Sequence, residues 1–368
     1  MEKVLFLTAF TPSENAAAEK NTKIMLKDLS KSFDVDLLYF KYDRNKEYIP
    51  EAENINVVKI VRNTTAYKFK NVFLCPWVHP YFSVRFNWAV LRFVKKIMSQ
   101  EKYKAVIIDH SEMFLYGKFL DKAVPRILLA HDVMAQRVGR SSNAIIAKIC
   151  RSSEGYAIKQ PNAIVSTFNQ KDVDLFKTLY NREAILSLDY IDERIINYKS
   201  DYKNDDFIMF GNWRRADNYE GALWFFDKVT PLIEWKITIR IIGKGFPMEK
   251  LSVTNPNVEI VNEGFVENPY PEIAECRAEI SPIFSGAGIK VKVIEALASG
   301  TPVIGTNMAF EGFPEKYKKF MQEASTPEEF CKLLKQCVFS AEERLEFKNM
   351  FIKDFQSMTI PNYIKNYL

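Results

Sequence analysis

The stretch that decides the fold of the second half is "SPIFSGAGIKVKVIEALASGTPVIGT", residues 281–306. A glycine-rich turn leads into an apolar helix, and a short strand follows that helix. The glycines let the backbone approach a ligand closely, and the first turn of a helix offers unpaired N–H groups and a partial positive charge. The stretch therefore predicts an anion site at the amino end of the helix.

Two lysines, Lys290 and Lys292, fall in the first turn of this predicted helix. Cations are unfavourable beside the positive end of the helix dipole unless a bound anion offsets them, which favours a phosphate. Glu295 follows about 9 Å along the helix axis, where a carboxylate can bind the hydroxyls of a ribose attached to that phosphate. In the alternative interpretation, Lys292 and Glu295 form an exposed i,i+3 pair and the glycines only make a turn.

Apolar β-rich runs alternate with helical patterns throughout the chain, as in "KVLFLTAF", "YKAVIIDH" and "PRILLAHD", and the rhythm restarts at "DFIMFGNW". This alternation predicts two doubly wound parallel sheets. We expect domains at 1–200 and 201–345, with a polar linker over 193–206. A C-terminal helix over 346–368 is expected to pack back on the first domain. Ligands of open parallel sheets bind beyond the carboxyl ends of the strands, in a cleft between the domains.

The composition excludes several classes of protein. A chain of 368 residues that is 47% hydrophobic can bury two cores. The five cysteines show no paired spacing, which fits a reducing compartment. The N-terminal apolar run lacks the flanks of a signal peptide, and no run approaches the roughly 20 apolar residues that span a bilayer. We expect a cytoplasmic protein, either free or on the inner face of the membrane.

The net charge of +5 is unevenly distributed. Residues 1–200 carry 31 basic and 22 acidic residues, whereas residues 201–368 carry 20 and 24. Aromatic and basic residues interleave over 67–96, which suits anionic lipid headgroups or a polyanionic acceptor. A core helix with a solvated basic face is the equally weighted alternative. Nucleic-acid binding is not expected, because the charge is local and no recognition motif is present.

At "GAGIKVKVIEALASGTPVIGT", together with "FGNWRRADNYEGALWFFDKVTPLI" and "IRIIGKG" before it, the sequence resembles a known family. It is similar to group 1 (family 4-like) glycosyltransferases of the GT-B fold, in the bacterial polysaccharide-biosynthesis subgroup that reads Gly-Ala-Gly-Ile-Lys-x-Lys. The resemblance covers about residues 205–312 and is weaker in the first half, where it depends on "AHDV" and Glu154. It implies two Rossmann-like domains facing across a cleft, with the acceptor in the first and the nucleotide sugar in the second.

The resemblance also implies roles for individual residues. Glu295 matches the carboxylate that binds the donor ribose, and His131 matches a histidine that faces the donor sugar or the acceptor. The residues expected to act in catalysis are His131, Arg214, Lys290 and Lys292. The other donor-binding positions are Gly211, Asn212, Arg215, Gly243, Lys244, Gly264, Phe265, Val266, Gly286, Ala287, Gly288 and Ile289.

The sequence departs from the family at three places. The family pairs its glutamate with a second one eight positions earlier, where this chain has Ala287, so the identity of the donor sugar stays open. A further basic residue of the first phosphate loop falls near Asn218. The double glycine after the first strand is replaced by "NAAAEK", in which Ala16, Ala17 and Ala18 are small enough for close approach.

The resemblance implies an enzyme that moves a hexose-like sugar from a nucleoside diphosphate to a glycan or lipid-linked glycan, with retention of anomeric configuration. Lysines, arginine and a helix N-terminus can stabilise the leaving diphosphate without a metal, so no metal or other cofactor is expected. Two alternatives remain: an epimerase of nucleotide sugars on the same fold, and a non-catalytic module that binds a sugar or a partner.

Other polar signals receive less weight. "DVD" at 34–36 opens a strand and at 172–174 lies in the first turn of a helix, so neither predicts a metal site. His79 and Cys75 lack a second pair of ligands and are interpreted as packing residues. His110 and Glu112 follow a strand and are weaker candidates than His131.

Overall fold

The computed structural model describes residues 1–43, 45–187, 191–198, 204–286, 289–357 and 359–368. Its chain divides into two compact units, one formed by residues 1–190 with 357–368 and the other by residues 191–356. The linker was expected over 193–206, but the segment after 190 packs on the second unit. The predicted C-terminal helix is two helices, of which only the last belongs to the first unit.

Unit 1 is a seven-stranded parallel sheet in the order β3-β2-β1-β4-β5-β6-β7. Its strands are β1 Lys3–Thr8, β2 Asp34–Lys41, β3 Ile55–Arg62, β4 Ala105–Asp109, β5 Arg126–Ala130, β6 Ala163–Thr167 and β7 Ala184–Leu186. Its first eight helices are α1 Ala17–Ser30, α2 Thr65–Leu74, α3 Pro80–Ser83, α4 Trp88–Gln100, α5 Phe114–Lys118, α6 Met134–Ser141, α7 Ala144–Ile158 and α8 Gln170–Tyr180. The central strands are continuous apolar runs because helices cover both faces of a parallel sheet.

Unit 2 is a six-stranded parallel sheet in the order β10-β9-β8-β11-β12-β13. Its strands are β8 Phe207–Phe210, β9 Ile237–Ile242, β10 Val258–Gly264, β11 Ala278–Ser281, β12 Val303–Gly305 and β13 Met321–Glu323. Its helices are α9 Glu193–Asn197, α10 Ala216–Lys228, α11 Tyr270–Glu275, α12 Val291–Ala298, α13 Pro327–Gln336 and α14 Ala341–Ser357. The last helix of the chain, α15 Ile360–Tyr367, returns to unit 1 and packs on α1.

Each sheet has one point at which the strand order reverses direction. In unit 1 this switch point lies between β1 and β4, and in unit 2 it lies between β8 and β11. Loops that leave the carboxyl ends of two such strands run to opposite faces of the sheet and leave a crevice between them. The prediction of two doubly wound sheets is confirmed, and these two crevices are where ligand-binding residues are expected.

Segment 191–198 belongs to unit 2 because it is anchored there at both ends. Asp192 is the N-cap of α9 and is hydrogen-bonded to Tyr270. The buried Lys348 of α14 donates to the carbonyls of Ile195 and Tyr198, at 2.8 and 2.5 Å. Sequence reasoning placed the boundary near residue 200 because these polar residues show no periodicity, and these long-range contacts are not visible in the local pattern.

Candidate donor and acceptor sites

The loops after β8, β9 and β10 are held together by backbone hydrogen bonds at the carboxyl edge of unit 2. Gly211 N donates to the Ile242 carbonyl at 3.1 Å, Trp213 N to Lys244 at 3.1 Å, and Gly243 N to Gly264 at 2.6 Å. Gly243 has φ 127°, and a Cβ built there would lie 1.9 Å from the Gly211 carbonyl oxygen. Only glycine fits at this position. The backbone hydrogen bonds bring the predicted donor-binding turns together at one edge of the sheet.

The loop after β11 meets the loop after β8 across the switch point. A Cβ built on Gly211 would lie 4.0 Å from Cδ of Lys292, and one on Gly286 would lie 3.8 Å from Cε of Lys290. Lys290 is the N-cap of α12, and its side chain makes no capping hydrogen bond. Ile289 precedes it, whereas Ala287 and Gly288 lie outside the described residues. The predicted lysines and glycines of the two loops are therefore brought together.

The two lysines have different surroundings. Lys290 Nζ lies 3.8 Å from Glu311 Oε2. Lys292 Nζ lies 5.9 Å from the ring centre of the buried Trp213, and burial lowers the pKa of Lys292 while the charge of Glu279 raises it. Because the Lys292 ammonium is desolvated beside Glu279, the arrangement does not fit an exposed pair of Lys292 with Glu295.

The two arginines of the β8 loop also differ. Arg215 is the N-cap residue of α10 and its Nε donates to Asp217 Oδ1 at 3.0 Å. Arg214 is exposed and pairs with no carboxylate in the part of the chain that the structure describes, while its Cγ lies beside Gly245. Asn212 is fixed by Asn218, whose Nδ2 donates to the Asn212 carbonyl at 3.0 Å. Arg214 is therefore the cation of this loop that is available to a ligand.

Two further predicted elements complete the edge of unit 2. Phe265 is 61% exposed and its ring lies 3.9 Å from Lys244 Nζ, which leaves an aromatic surface beside Gly264 and Val266. Glu295 lies one turn into α12, and its Oε1 accepts a 3.0 Å hydrogen bond from the Tyr270 hydroxyl. An exposed aromatic ring, a carboxylate and a set of cations thus lie along this edge of unit 2.

The carboxyl edge of unit 1 carries a different cluster, which includes the predicted His131. His131 Nε2 lies 2.7 Å from Oδ1 of the buried Asp109, and since the carboxylate is an acceptor, this nitrogen carries the proton. Thr8 and Thr22 donate to Asp109 Oδ2 at 2.8 and 3.0 Å. Although burial opposes ionisation, the two neighbouring histidines and these hydrogen bonds hold the pKa of Asp109 well below its usual value.

His110 lies parallel to His131, with ring centres 3.8 Å apart and an interplanar angle of 9°. Burial lowers the pKa of His110 to about 3, so it stacks as a neutral ring. Glu112 forms a buried ion pair with Arg85. His131 and its neighbours belong to unit 1, whereas the other predicted site residues belong to unit 2.

Among the described residues, three atoms that could bind a metal ion lie within 4.8 Å of one another. They belong to Asp109, His110 and His131. The in-plane lone pairs of two stacked, parallel imidazoles do not converge on a single ion, and the proton of His131 Nε2 is directed at Asp109. As arranged, the group is a hydrogen-bonded cluster.

Two parallel sheets, each with its polar residues at a switch point, define the GT-B class of fold. Residues 204–338 match the sequence profile described as Glycosyl transferases group 1. The family resemblance seen in the glycine-lysine motif is thereby confirmed.

Known proteins are similar to this chain in sequence or in fold. An uncharacterized 44.6 kDa protein in the cps region of Klebsiella pneumoniae is 22% identical over 249 residues, which span 60% of this chain and 61% of that relative. The structure is similar to WaaG, a glycosyltransferase involved in lipopolysaccharide biosynthesis, with a TM-score of 0.60, 11% identity and coverage of 98% of this chain and 97% of that one. It is also similar to Anabaena Alr3699/HepE in complex with UDP and glucose, with a TM-score of 0.62, 12% identity and coverage of 99% and 97%.

Proposed function

We propose that this chain is a glycosyltransferase that moves a sugar from a nucleoside-diphosphate donor to a glycan or lipid-linked glycan acceptor. The observation that carries the proposal is the meeting of two loops at the switch point of unit 2, where Lys290 and Lys292 lie at the N-terminus of α12 beside the β8 loop and Glu295 follows one turn later. Such an edge, with the exposed Arg214 on the β8 loop, has the charge that suits a nucleoside diphosphate. The similarity to a UDP complex and to a protein of lipopolysaccharide biosynthesis supports this class of substrate.

The chemistry that these residues support is stabilisation of the leaving diphosphate. Charge develops on the phosphate oxygens as the sugar is transferred, and preorganised cations and N–H donors lower the energy of that state. The side chains at this edge supply positive charge themselves, so we propose that transfer proceeds without a metal. We also propose retention of the anomeric configuration, which proton NMR of the product would test.

Nucleotide binding is the first test. Thermal unfolding of the wild type should be measured with UDP, GDP, ADP and CMP, since a ligand that binds only the folded chain raises its stability. Lys290→Ala and Glu295→Ala should each abolish most of the shift, whereas Lys318→Ala should retain it because Lys318 is an exposed lysine paired with its neighbour Glu315. No shift with any nucleotide would favour the non-catalytic module. A shift that is unchanged by EDTA or Mg²⁺ would agree with metal independence.

The acceptor separates the transferase from an epimerase. A transferase releases free nucleoside diphosphate only when an acceptor is present, whereas an epimerase changes the sugar of the donor and releases none. Incubation of the donor with and without an extract of lipid-linked glycans, followed by chromatography of the nucleotides, distinguishes the two. A new nucleotide sugar without an acceptor would contradict the proposal.

We further propose that unit 1 docks on an anionic membrane through residues 67–96. The stretch divides in the structure, because Phe86, Val90 and Val94 are core residues whereas Phe69 and Phe73 of α2 are 73% and 83% exposed. No helix in the described part of the chain is long and apolar enough to cross a membrane. Exposed aromatic rings beside lysines suit an interfacial contact.

Exposed isoleucines of α7 extend this surface. His79 N donates to Ser153 Oγ of α7 at 2.7 Å, so α7 packs beside the loop that carries the exposed Trp77. Ile145 and Ile149 lie one to two turns earlier on α7 and are 73% and 49% exposed. Phe73→Ser should reduce sedimentation with anionic liposomes at low salt, and Ile49→Ser, which alters an equally exposed residue elsewhere in unit 1, should not. Equal loss in both variants, or no sedimentation of the wild type, would contradict docking.

A further inference from the structure

The first segment of unit 2 contacts both parts of the site that are assigned to the nucleoside. This segment consists of Ile191, Asp192 and α9, and α9 packs on α12, the helix that carries Glu295. Neither the motif nor the family resemblance includes it. Three side chains connect it to the candidate site, those of Asp192, Arg194 and Tyr270 of α11.

Tyr270 connects the segment to the carboxylate assigned to the ribose. Its side chain is buried, and its hydroxyl lies 3.0 Å from Glu295 Oε1 and 3.2 Å from Asp192 Oδ2. Burial and the two carboxylate charges raise the pKa of Tyr270, so the hydroxyl remains a donor. Because one hydroxyl has one proton, Tyr270 can donate to only one of the two carboxylates at a time.

Arg194 favours donation to Glu295. Its Nη2 lies 2.7 Å from Asp192 Oδ2 and its Nε lies 3.1 Å from Asp192 Oδ1, so the guanidinium and Asp192 form a bidentate ion pair. The guanidinium also lies 5.3 Å from the ring centre of Tyr270. Arg194 meets the charge of Asp192, and the Tyr270 hydroxyl lies closer to Glu295, at 3.0 Å, than to Asp192, at 3.2 Å.

The same guanidinium reaches the turn assigned to the base. Arg194 Nη1 donates to the carbonyl of Glu267 at 3.2 Å, and Glu267 directly follows Gly264, Phe265 and Val266. Arg194 therefore links the turn after β10 to the hydrogen bonds that hold Glu295. A displacement of Arg194 changes the position of both.

We propose that Asp192, Arg194 and Tyr270 are positioning residues of the nucleotide site, which fix the carboxylate of Glu295 toward the ribose hydroxyls and hold the base turn in register with it. This inference rests on the proposed function. The hydrogen bond from Tyr270 to Glu295 Oε1 sets the orientation of the carboxylate that is assigned to the ribose. The three residues act on recognition of the nucleoside and not on the diphosphate.

The test compares ribose with deoxyribose. Calorimetric titration should use whichever of UDP, GDP, ADP and CDP binds the wild type most tightly, together with its 2′-deoxy form. In the wild type, loss of a hydroxyl that bonds a charged carboxylate should weaken binding about tenfold. In Tyr270→Phe, the ribose form should weaken and the ratio between the two forms should fall toward about twofold, because Glu295 is no longer held.

Two variants serve as references. Tyr198→Phe removes a tyrosine-to-carboxylate hydrogen bond of the same segment, to Glu275 Oε1 at 3.1 Å, and should leave the ratio at its wild-type value. Arg194→Lys keeps the charge but cannot form the bidentate ion pair. This variant should lose both the preference for ribose over deoxyribose and the preference for one base. If Tyr270→Phe binds both forms in the wild-type ratio, the inference is overturned while the donor site stands. If none of the four nucleotides binds the wild type, the proposed function fails and the inference fails with it.

Discussion

The strands β4 and β11 occupy equivalent places, each beside the first strand of its sheet across the switch point, and each carries a fully buried carboxylate. Asp109 of β4 accepts hydrogen bonds from two threonines and a histidine, and its pKa is lowered. The carboxylate of Glu279 in β11 has no charged hydrogen-bond donor on it in the described part of the chain, and burial raises the pKa of Glu279 to about 7 although the charge of Lys292 and a side-chain hydrogen bond with Ser281 lower it.

This difference distinguishes a buried carboxylate whose charge is met by internal hydrogen bonds from one whose charge is only partly offset. At the edge of unit 1, three hydrogen bonds meet the charge of Asp109. At the edge of unit 2, the ammonium of Lys292 and the carboxylate of Glu279 are both desolvated. The neighbouring turns contain glycines, which have no side chains. The protein solvates the Lys292 ammonium poorly, so a bound anion would stabilise its charge.

The largest effect is expected from Gly243→Ala, which tests whether the edge of unit 2 depends on bare backbone. The added Cβ would lie 1.9 Å from the Gly211 carbonyl, and the φ of 127° is itself unfavourable for alanine. We expect a loss of more than about 3 kcal/mol in the free energy of unfolding of unit 2. Urea denaturation followed by tryptophan fluorescence measures this loss.

Gly139→Ala is the matched control, because a Cβ at Gly139 in α6 meets nothing within 4 Å. This change should leave stability unaltered or raise it by about 0.5 kcal/mol, as alanine is the better helix former. Equal losses for the two glycines would show that the close approach at Gly243 is not what fixes this edge.

The second effect tests the hydrogen bonds around Asp109 in unit 1. Asp109→Asn removes the anion that His131, Thr8 and Thr22 contact, and leaves donors facing an amide that supplies fewer acceptor positions. We expect a loss of about 2 kcal/mol in the free energy of unfolding, with nucleotide affinity within twofold of the wild type. Asp121→Asn, at an exposed position, is the control. A large loss of nucleotide affinity would contradict the assignment of the donor to unit 2 alone.

The third effect depends on pH and concerns Glu279→Gln. The pKa of Glu279 in the folded chain is about 7, above its ordinary 4.5, so between these values the folded state keeps a proton that the unfolded state has lost. The contribution of this group to stability therefore falls as pH rises from about 4.5 to about 7, by about 2 kcal/mol. The glutamine variant should gain on the wild type over that range in urea denaturation. Parallel pH profiles would show that Glu279 is not the titrating group.

The smallest effect separates the two arginines of the β8 loop. Arg214→Ala should weaken binding of a nucleoside diphosphate about tenfold, whereas Arg215→Ala should weaken it less than about threefold because Asp217 already offsets the charge of Arg215. Calorimetric titration with the same nucleotide measures both. A larger loss of affinity in Arg215→Ala than in Arg214→Ala would assign the phosphate contact to Arg215.

Local patterns were sufficient to predict the elements that lie at the centre of each sheet. The apolar runs that became β1, β4, β5, β8, β9 and β11 are continuous, and α12 follows its glycine turn as expected, beginning at Val291. The short edge strands β7 and β13 were not predicted, because three residues with partial burial show no periodicity. The strand β3 was also missed.

The site was predictable where it follows a motif and not where it depends on distant residues. Lys290, Lys292 and Glu295 lie on one helix, so their spacing is readable from the sequence. Glu279 is hidden inside an ordinary strand pattern, and its burial beside Lys292 arises only when β11 and α12 pack. Arg194 lies roughly a hundred residues from Glu295 in a polar segment, and no local signal links the two.

The return of α15 to unit 1 has a consequence for the order in which the chain folds during synthesis. Residues 191–356 are contiguous and have all been made before α15 is translated, whereas unit 1 lacks α15 until residues 360–367 have been made. Ile360 and Ile364 are fully buried in the finished chain, and α15 packs on α1. A nascent chain would therefore complete its second unit while the first still exposes an apolar strip on α1, which makes the N-terminal half the part in need of a chaperone.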